Sequence, residues 1–219
     1  MKKNLIELVF ILDRSGSMRG LEADTIGGFN SLIEKQKKEA GEVLVSTVLF
    51  DHAQEVLHDR VKLSDIQPMT QEDYIVRGST ALLDAVGGAI HHIANIHKYA
   101  GAEDRPQKTL FIITTDGMEN ASRHYSYAQI KQMVERQKER YGWEFLFLGA
   151  NIDAVAEAQR FGIGDKCAVQ FENDSAGTAV NYMALNEAVR TVRSCPAAKE
   201  ALDGSWKKEI EEDVQRRHR

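Results

Sequence analysis

Residues 9–20 read VFILDRSGSMRG. An apolar run that opens at Leu5 stops at Asp13, and two serines bracketing a glycine follow. A strand covered by helices on both faces is apolar almost throughout, without polar alternation, and residues 5–12 fit that pattern. The carboxylate and hydroxyls then fall on the turn that leaves the strand. In Asp-x-Ser-Gly-Ser the side chains of 13, 15 and 17 can face one bowl, and Gly16 lets the backbone fold tightly. The helix beginning near Gly20 brings the positive end of its dipole, which favours an anionic ligand.

Outward from this turn, apolar runs alternate with helical periodicity. Residues 21–36 place Leu21, Thr25/Ile26, Phe29 and Leu32/Ile33 on one helical face. Strands are expected at 43–50, 54–63, 108–115, 143–150 and 166–171, and helices at 81–99, 126–142, 152–161 and 178–193, with Gly142 as a C-terminal cap. The 54–63 strand follows its predecessor after three residues, too few for a helical crossover, so it is expected to run antiparallel at an edge. The sum is an α/β fold: a doubly wound, mostly parallel six-stranded sheet with one antiparallel edge strand and helices on both faces. Residues 1–194 read as one domain and 195–219 as a helical extension. In that extension Ala198, Leu202, Trp206, Ile210 and Val214 are spaced by four, interrupted by Asp203-Gly204-Ser205. It either packs on the domain or docks a partner.

Composition narrows the function classes. The chain of 219 residues is 42% hydrophobic and 28% charged, which places it with globular proteins able to bury a core unaided. Its net charge of −5 argues against nucleic acid as the main partner. The start imitates a signal peptide, with Lys2 and Lys3 before an apolar run. Glu7 interrupts that run and no small-residue cleavage site follows, so a buried strand is the better reading. No segment approaches the length of a membrane span. Two cysteines, Cys167 and Cys195, without a CxxC pairing, fit free thiols in a reducing compartment, and the expected location is the cytoplasm.

In an open α/β sheet, ligands bind outside the carboxyl ends of the strands. Those ends carry Asp13, Ser15 and Ser17; Asp51 and His52; Asp116 and Glu119; Asn151 and Asp153; the loop before helix 81–99 adds Ser79 and Thr80. Nearly all are oxygen donors, the ligand set of a hard divalent cation, Mg²⁺ or Mn²⁺, with Ca²⁺ also compatible. Each piece has a plainer reading: Asp13-x-Ser-x-Ser as a helix cap, Asp116-Gly117 as a strand-end turn, Asp51-His52 as a hairpin turn. His91, His92 and His97 share a helix without the geometry of a zinc site.

Taken together, Asp13-Arg14-Ser15-Gly16-Ser17-Met18, Gly78-Ser79-Thr80-Ala81-Leu82 and Thr114-Thr115-Asp116-Gly117 resemble the von Willebrand factor A family and its metal-ion-dependent adhesion site. The resemblance covers residues 4–193 and is nearest to stand-alone intracellular forms of prokaryotes and phages. It implies that Ser15 and Ser17 bind the metal directly, that Asp13 and Asp116 do so directly or through water, and that Thr80 alternates between the two. It also implies an open coordination position filled by an Asp or Glu of a partner protein. Glu119, Asn151 and Asp153 could form a rim that selects the partner. No nucleophile–base pair is evident, so no enzymatic activity is expected. The competing reading is an Mg²⁺-dependent phosphatase or phosphotransferase of haloacid-dehalogenase type, which also places an aspartate after its first strand. That class needs a second aspartate where this chain has Ser15. A nucleotide site lacks both GxGxxG and GxxxxGK[ST].

Overall fold

A computed structural model describes residues 5–196 and 202–218. Lys2, Lys3 and Ala198 therefore lie outside the described residues. Six strands, β1 (Leu5–Asp13), β2 (Glu42–Phe50), β3 (Gln54–Lys62), β4 (Lys108–Thr115), β5 (Glu144–Gly149) and β6 (Ala168–Gln170), form one sheet in the order β3-β2-β1-β4-β5-β6. All neighbours pair in parallel except β2 and β3, which form the antiparallel edge. Among the described residues the helices are α1 (Glu22–Lys37), α2 (Leu82–Tyr99), α3 (Tyr127–Tyr141), α4 (Ala154–Arg160), α5 (Ser175–Ser194) and α6 (Lys208–Arg217).

The two-residue period of a strand sends alternate side chains to opposite faces. On β1, Ile6, Leu8, Phe10 and Leu12 enter the layer with Phe29 and Leu32 of α1 and Leu185 and Val189 of α5. Val9 and Ile11 enter the opposite layer with Leu82 and Val86 of α2, Ile130 and Val134 of α3 and Ala158 of α4. Every residue of β1 and β4 is buried, which is why these strands carry no polar alternation. Chain order runs outward from β1 in both directions, so the switch point lies between β1 and β4.

Two elements depart from expectation, and the extension breaks where Asp203-Gly204-Ser205 interrupts its periodicity. Strand β6 is only three residues long, because a 3₁₀ turn over Asp165–Cys167 takes its start. Helix α5 begins at Ser175, earlier than its apolar periodicity, because the Asp174 carboxylate caps it by accepting from Gly177 N at 2.7 Å. The extension is not one helix: Gly204 turns the chain with φ of 99°, a 3₁₀ turn over Ser205–Lys207 follows, and α6 comes after it. Leu202, Trp206 and Ile210 are buried in the layer shared with α1 and α5. Among the described residues no helix is long and apolar enough to cross a membrane. Both cysteines are free thiols.

Candidate metal site

Asp13 is the last residue of β1, and Asp116 directly follows β4 on the other side of the switch point. Beyond β1 the chain makes a 3₁₀ turn over Gly16–Met18 that carries Ser15 and Ser17. Gly16 is needed for close approach rather than for an unusual φ: its N–H donates to Gly78 O at 3.1 Å, and a Cβ there would lie 3.2 Å from that same oxygen. Gly78 adopts a φ of 71°, and a side chain on it would collide with the His52 ring. The loop bearing Thr80 is thus drawn against the serine turn.

A second set of contacts ties Thr80 to Asp116. Thr80 N donates to Asn120 Oδ1 at 2.9 Å, and the N–H groups of Asn120 and Ala121 donate to Thr80 O. Glu119 accepts from Leu83 N, at the start of α2, and from Ala121 and Ser122 N. Asp84 accepts from the N–H groups of Arg123, His124 and Tyr125. The 116–126 loop and the start of α2 are therefore laced together.

Hydrogen bonds link the oxygen-bearing side chains on both sides of the switch point. Ser15 N donates to Asp13 Oδ1 at 2.7 Å and Thr115 Oγ1 to Asp13 Oδ2 at 2.6 Å. Ser15 Oγ and Ser17 Oγ are 3.1 Å apart, and Ser17 Oγ donates to Asp116 Oδ1 at 2.5 Å. A Cβ on Gly117 would lie 3.5 Å from both Ser17 Oγ and Thr80 Oγ1, so these two hydroxyls converge beside Gly117. The expected ligands Asp13, Ser15, Ser17, Thr80 and Asp116 are all brought to this one place.

Burial is severe for the charged members: Asp13 is 1% exposed and Asp116 2%. Burial pushes the Asp13 carboxyl up to about 6; the Thr115 and Ser15 bonds oppose that rise, and the charge of Asp116 adds to it. Asp116 is raised by burial as well, against the bonds from Ser17 and Asn173. Two desolvated carboxylates side by side hold more negative charge than the site can neutralise by itself.

The residues present fit a hard cation. Two carboxylates and three hydroxyls supply only oxygen. Their O···O separations of 2.5 and 3.1 Å bracket the edge of an octahedron around an ion with bonds of about 2.1 Å, which is about 3 Å. Among the described residues no group of three or more His, Cys, Asp or Glu side chains that could hold a metal ion is found.

Several neighbours give the site its rigidity and have no local sequence signal. Tyr74, 1% exposed, donates its hydroxyl to Asp13 O. Arg14, buried beside Asp13, turns away from the site: its Nε and that of Arg77 each lie 3.0 Å from Asp51 Oδ2, and Arg14 Nη1 reaches Glu55 at 2.7 Å. Burial would raise Asp51, but the bonds from Arg77 and Ala53 N and the charge of Arg14 hold it below the usual carboxylate range. Asp51 is thus a hairpin residue and an internal anchor. Asn173, on the loop after β6, donates Nδ2 to Asp116 Oδ2 at 3.3 Å.

The suggested rim residues have internal duties. Both Glu119 oxygens are engaged by backbone and Ser122 donors, and Asp153 caps α4 through Ala156 N at 3.0 Å. Asn151 takes a left-handed φ of 56° and its Nδ2 lies 3.5 Å from Asp116 O. The start of α1 carries its own carboxylates, Glu22 and Asp24, which meet the helix dipole from within the chain.

No protein-family profile and no curated protein sequence matches this chain. Solved structures do. Proximal thread matrix protein 1 from the mussel byssus superposes with a TM-score of 0.56 at 15% identity, covering 84% of this chain and 45% of that one. A second structure of that protein, with a zinc-occupied adhesion-site motif, gives 0.55 at 15% identity over 83% of this chain and 44% of that one. A von Willebrand factor type A structure from Catenulispora acidiphila gives 0.55 at 14% identity over 84% and 42%. The chain therefore spans less than half the length of these structures, and its strand order, its antiparallel edge and these superpositions together show that it has the von Willebrand factor A fold.

Proposed function

We propose that the chain is a metal-dependent protein-binding module rather than an enzyme, with residues 1–194 as the binding unit and 195–219 as an extension. The carrying observation is the convergence of Asp13, Ser15, Ser17, Thr80 and Asp116 at the β1–β4 switch point, with both carboxylates raised by burial. Asp13, Ser15, Ser17, Thr80 and Asp116 would hold Mg²⁺, with Mn²⁺ or Ca²⁺ as substitutes. These five side chains would fill five of the six positions of an octahedral ion, so the sixth is open to an outside oxygen ligand such as a carboxylate. The partner is a protein presenting an Asp or Glu, and nucleic acid and membrane have no part in this reading. The two free thiols favour the cytoplasm.

The phosphatase reading requires Asp13 as a free nucleophile. Asp13 is instead 1% exposed, with both oxygens hydrogen-bonded by Ser15 N and Thr115. The test is an array of Asp- and Glu-containing peptides paired with Asn and Gln twins, probed in Mg²⁺ and in EDTA. Binding that needs both the metal and the carboxylate supports the module. Binding indifferent to both, or phosphatase turnover lost in Asp13→Asn, contradicts it.

A further inference from the structure

Among the described residues, the extension reaches the loop that carries Asn173, the residue bonded to Asp116. Glu172, Asn173 and Asp174 lie in the loop 171–174 between β6 and α5. The two outer residues are held by the end of α6: Arg217 Nη1 lies 2.5 Å from Asp174 Oδ2, and His218 Nε2 lies 2.7 Å from Glu172 Oε1. The middle residue is the one bonded to Asp116. The 3₁₀ turn before α6 is anchored at the start of β6, with Trp206 Nε1 donating to Lys166 O at 2.9 Å and Lys207 Nζ to Ala168 O at 3.0 Å. Between these anchors in sequence, Ile210, 1% exposed, is buried in the core layer shared with α1 and α5. The extension is thus a strap over β6, fixed before the strand and after it.

Asn173 itself carries an unspent group. Its Nδ2 is used on Asp116, while its Oδ1 is buried with no hydrogen-bond partner. A buried acceptor left without a donor costs stability, and such atoms in native folds have a reason. Mg²⁺ keeps several of its waters when bound by protein, and each is a strong donor. An amide that holds a liganding carboxylate with one end and offers an acceptor with the other is suited to the outer sphere of that ion.

We infer that Asn173 is a sixth residue of the cation site, orienting Asp116 through Nδ2 and receiving a metal-bound water on Oδ1, and that α6 is the strut that holds it there. This rests on the metal-site reading above. It gives the extension a role in cis: Arg217 and His218 hold the two acidic neighbours of Asn173 and so set the affinity of the site. Partners that orient a liganding group commonly govern affinity by about 10- to 100-fold.

The test is a thermodynamic cycle of Mg²⁺ dissociation constants, measured by calorimetry on the full chain. The variants are Asn173→Ala, the pair Arg217→Ala with His218→Ala, and all three changes together. Asn173→Ala should weaken Mg²⁺ binding by about tenfold and leave the metal-free melting temperature nearly unchanged, a split that a merely structural residue would not give. The tail pair should weaken binding in the same direction and raise amide exchange over residues 171–176. Adding Asn173→Ala to the tail pair should cost less than it does in the wild type, because both act through one contact. Unchanged affinity in Asn173→Ala, or strictly additive losses, would overturn the inference while leaving the metal site standing. Absence of any Mg²⁺ binding by the wild type would remove both.

Discussion

Thr115 Oγ1 donates a hydrogen bond to Asp13 Oδ2 at 2.6 Å across 102 residues of sequence. The bond joins the ends of two adjacent parallel strands, β4 and β1, at the switch point of the sheet. It fixes the orientation of a carboxylate that is almost wholly removed from water. Valine in place of Thr115 should leave that oxygen with one donor fewer and cost about 1–3 kcal/mol. Chemical denaturation of Thr115→Val in EDTA reads this loss, and a variant as stable as wild type would mean that the bond does not form.

The raised Asp13 carboxyl has a definite pH signature in the metal-free protein. Its folded value of about 6 lies above the ordinary 3.8, so the folded state binds this proton more tightly than the unfolded state does. Below about pH 4 both states hold the proton and nothing is lost. As pH rises through about 4 to 6 the unfolded state releases it first, and stability falls by at most about 3 kcal/mol. Asp13→Asn should remove this slope. The measurement is the difference in unfolding free energy between wild type and Asp13→Asn, in EDTA, across that range; a flat difference would refute the buried carboxylate.

Asp51 offers a contrast between buried and exposed ion pairs. Arg14 and Asp51 have side-chain exposures of 3% and 0%, whereas Glu55 is 55% exposed. Asp51→Ala would leave the buried Arg14 guanidinium with only the half-exposed Glu55 and should cost about 3 kcal/mol. Glu55→Ala removes only an outer partner and should cost under about 1 kcal/mol. Melting curves of the two variants decide; equal losses would mean that Arg14 finds water.

Much of this architecture was legible in the chain and some was not, for reasons of separation. The continuous apolar runs of β1, β2 and β4 announce covered strands, and the three-residue gap after Phe50 dictates the antiparallel edge. Asp13, Ser15 and Ser17 are neighbours, so their shared turn is visible locally. Asp116 is reached only by asking what lies at strand ends, and Thr80 only by adding the loop before α2. Tyr74, Asn173 and the Arg14–Asp51–Arg77 cluster have no such signal, because each acts across 26 or more residues of sequence through contacts without periodicity. Glu119 and Asp153 stand at the right edge of the sheet, but sequence position does not show that their oxygens are already taken by backbone donors. The early start of α5 was hidden because Ser175, Ala176 and Gly177 carry no apolar stripe; only the Asp174 cap marks it.

The extension should contribute to folding as well as to the site. Ile210 is 1% exposed and packs in the layer with α1 and α5. Ile210→Ala should cost about 2–5 kcal/mol through lost burial and a residual cavity. The check is the urea midpoint of this variant; wild-type stability would mean that the helix leaves the domain in solution.

The most direct measurement is thermal unfolding of wild type and Asp13→Ala, each with and without Mg²⁺. Ligand at about one hundred times its dissociation constant stabilises the folded state by about 2.7 kcal/mol. The account predicts a clear upward shift of the wild-type transition with Mg²⁺ and none for Asp13→Ala, which should nevertheless fold. Equal shifts in both proteins, or no shift in the wild type, would contradict it.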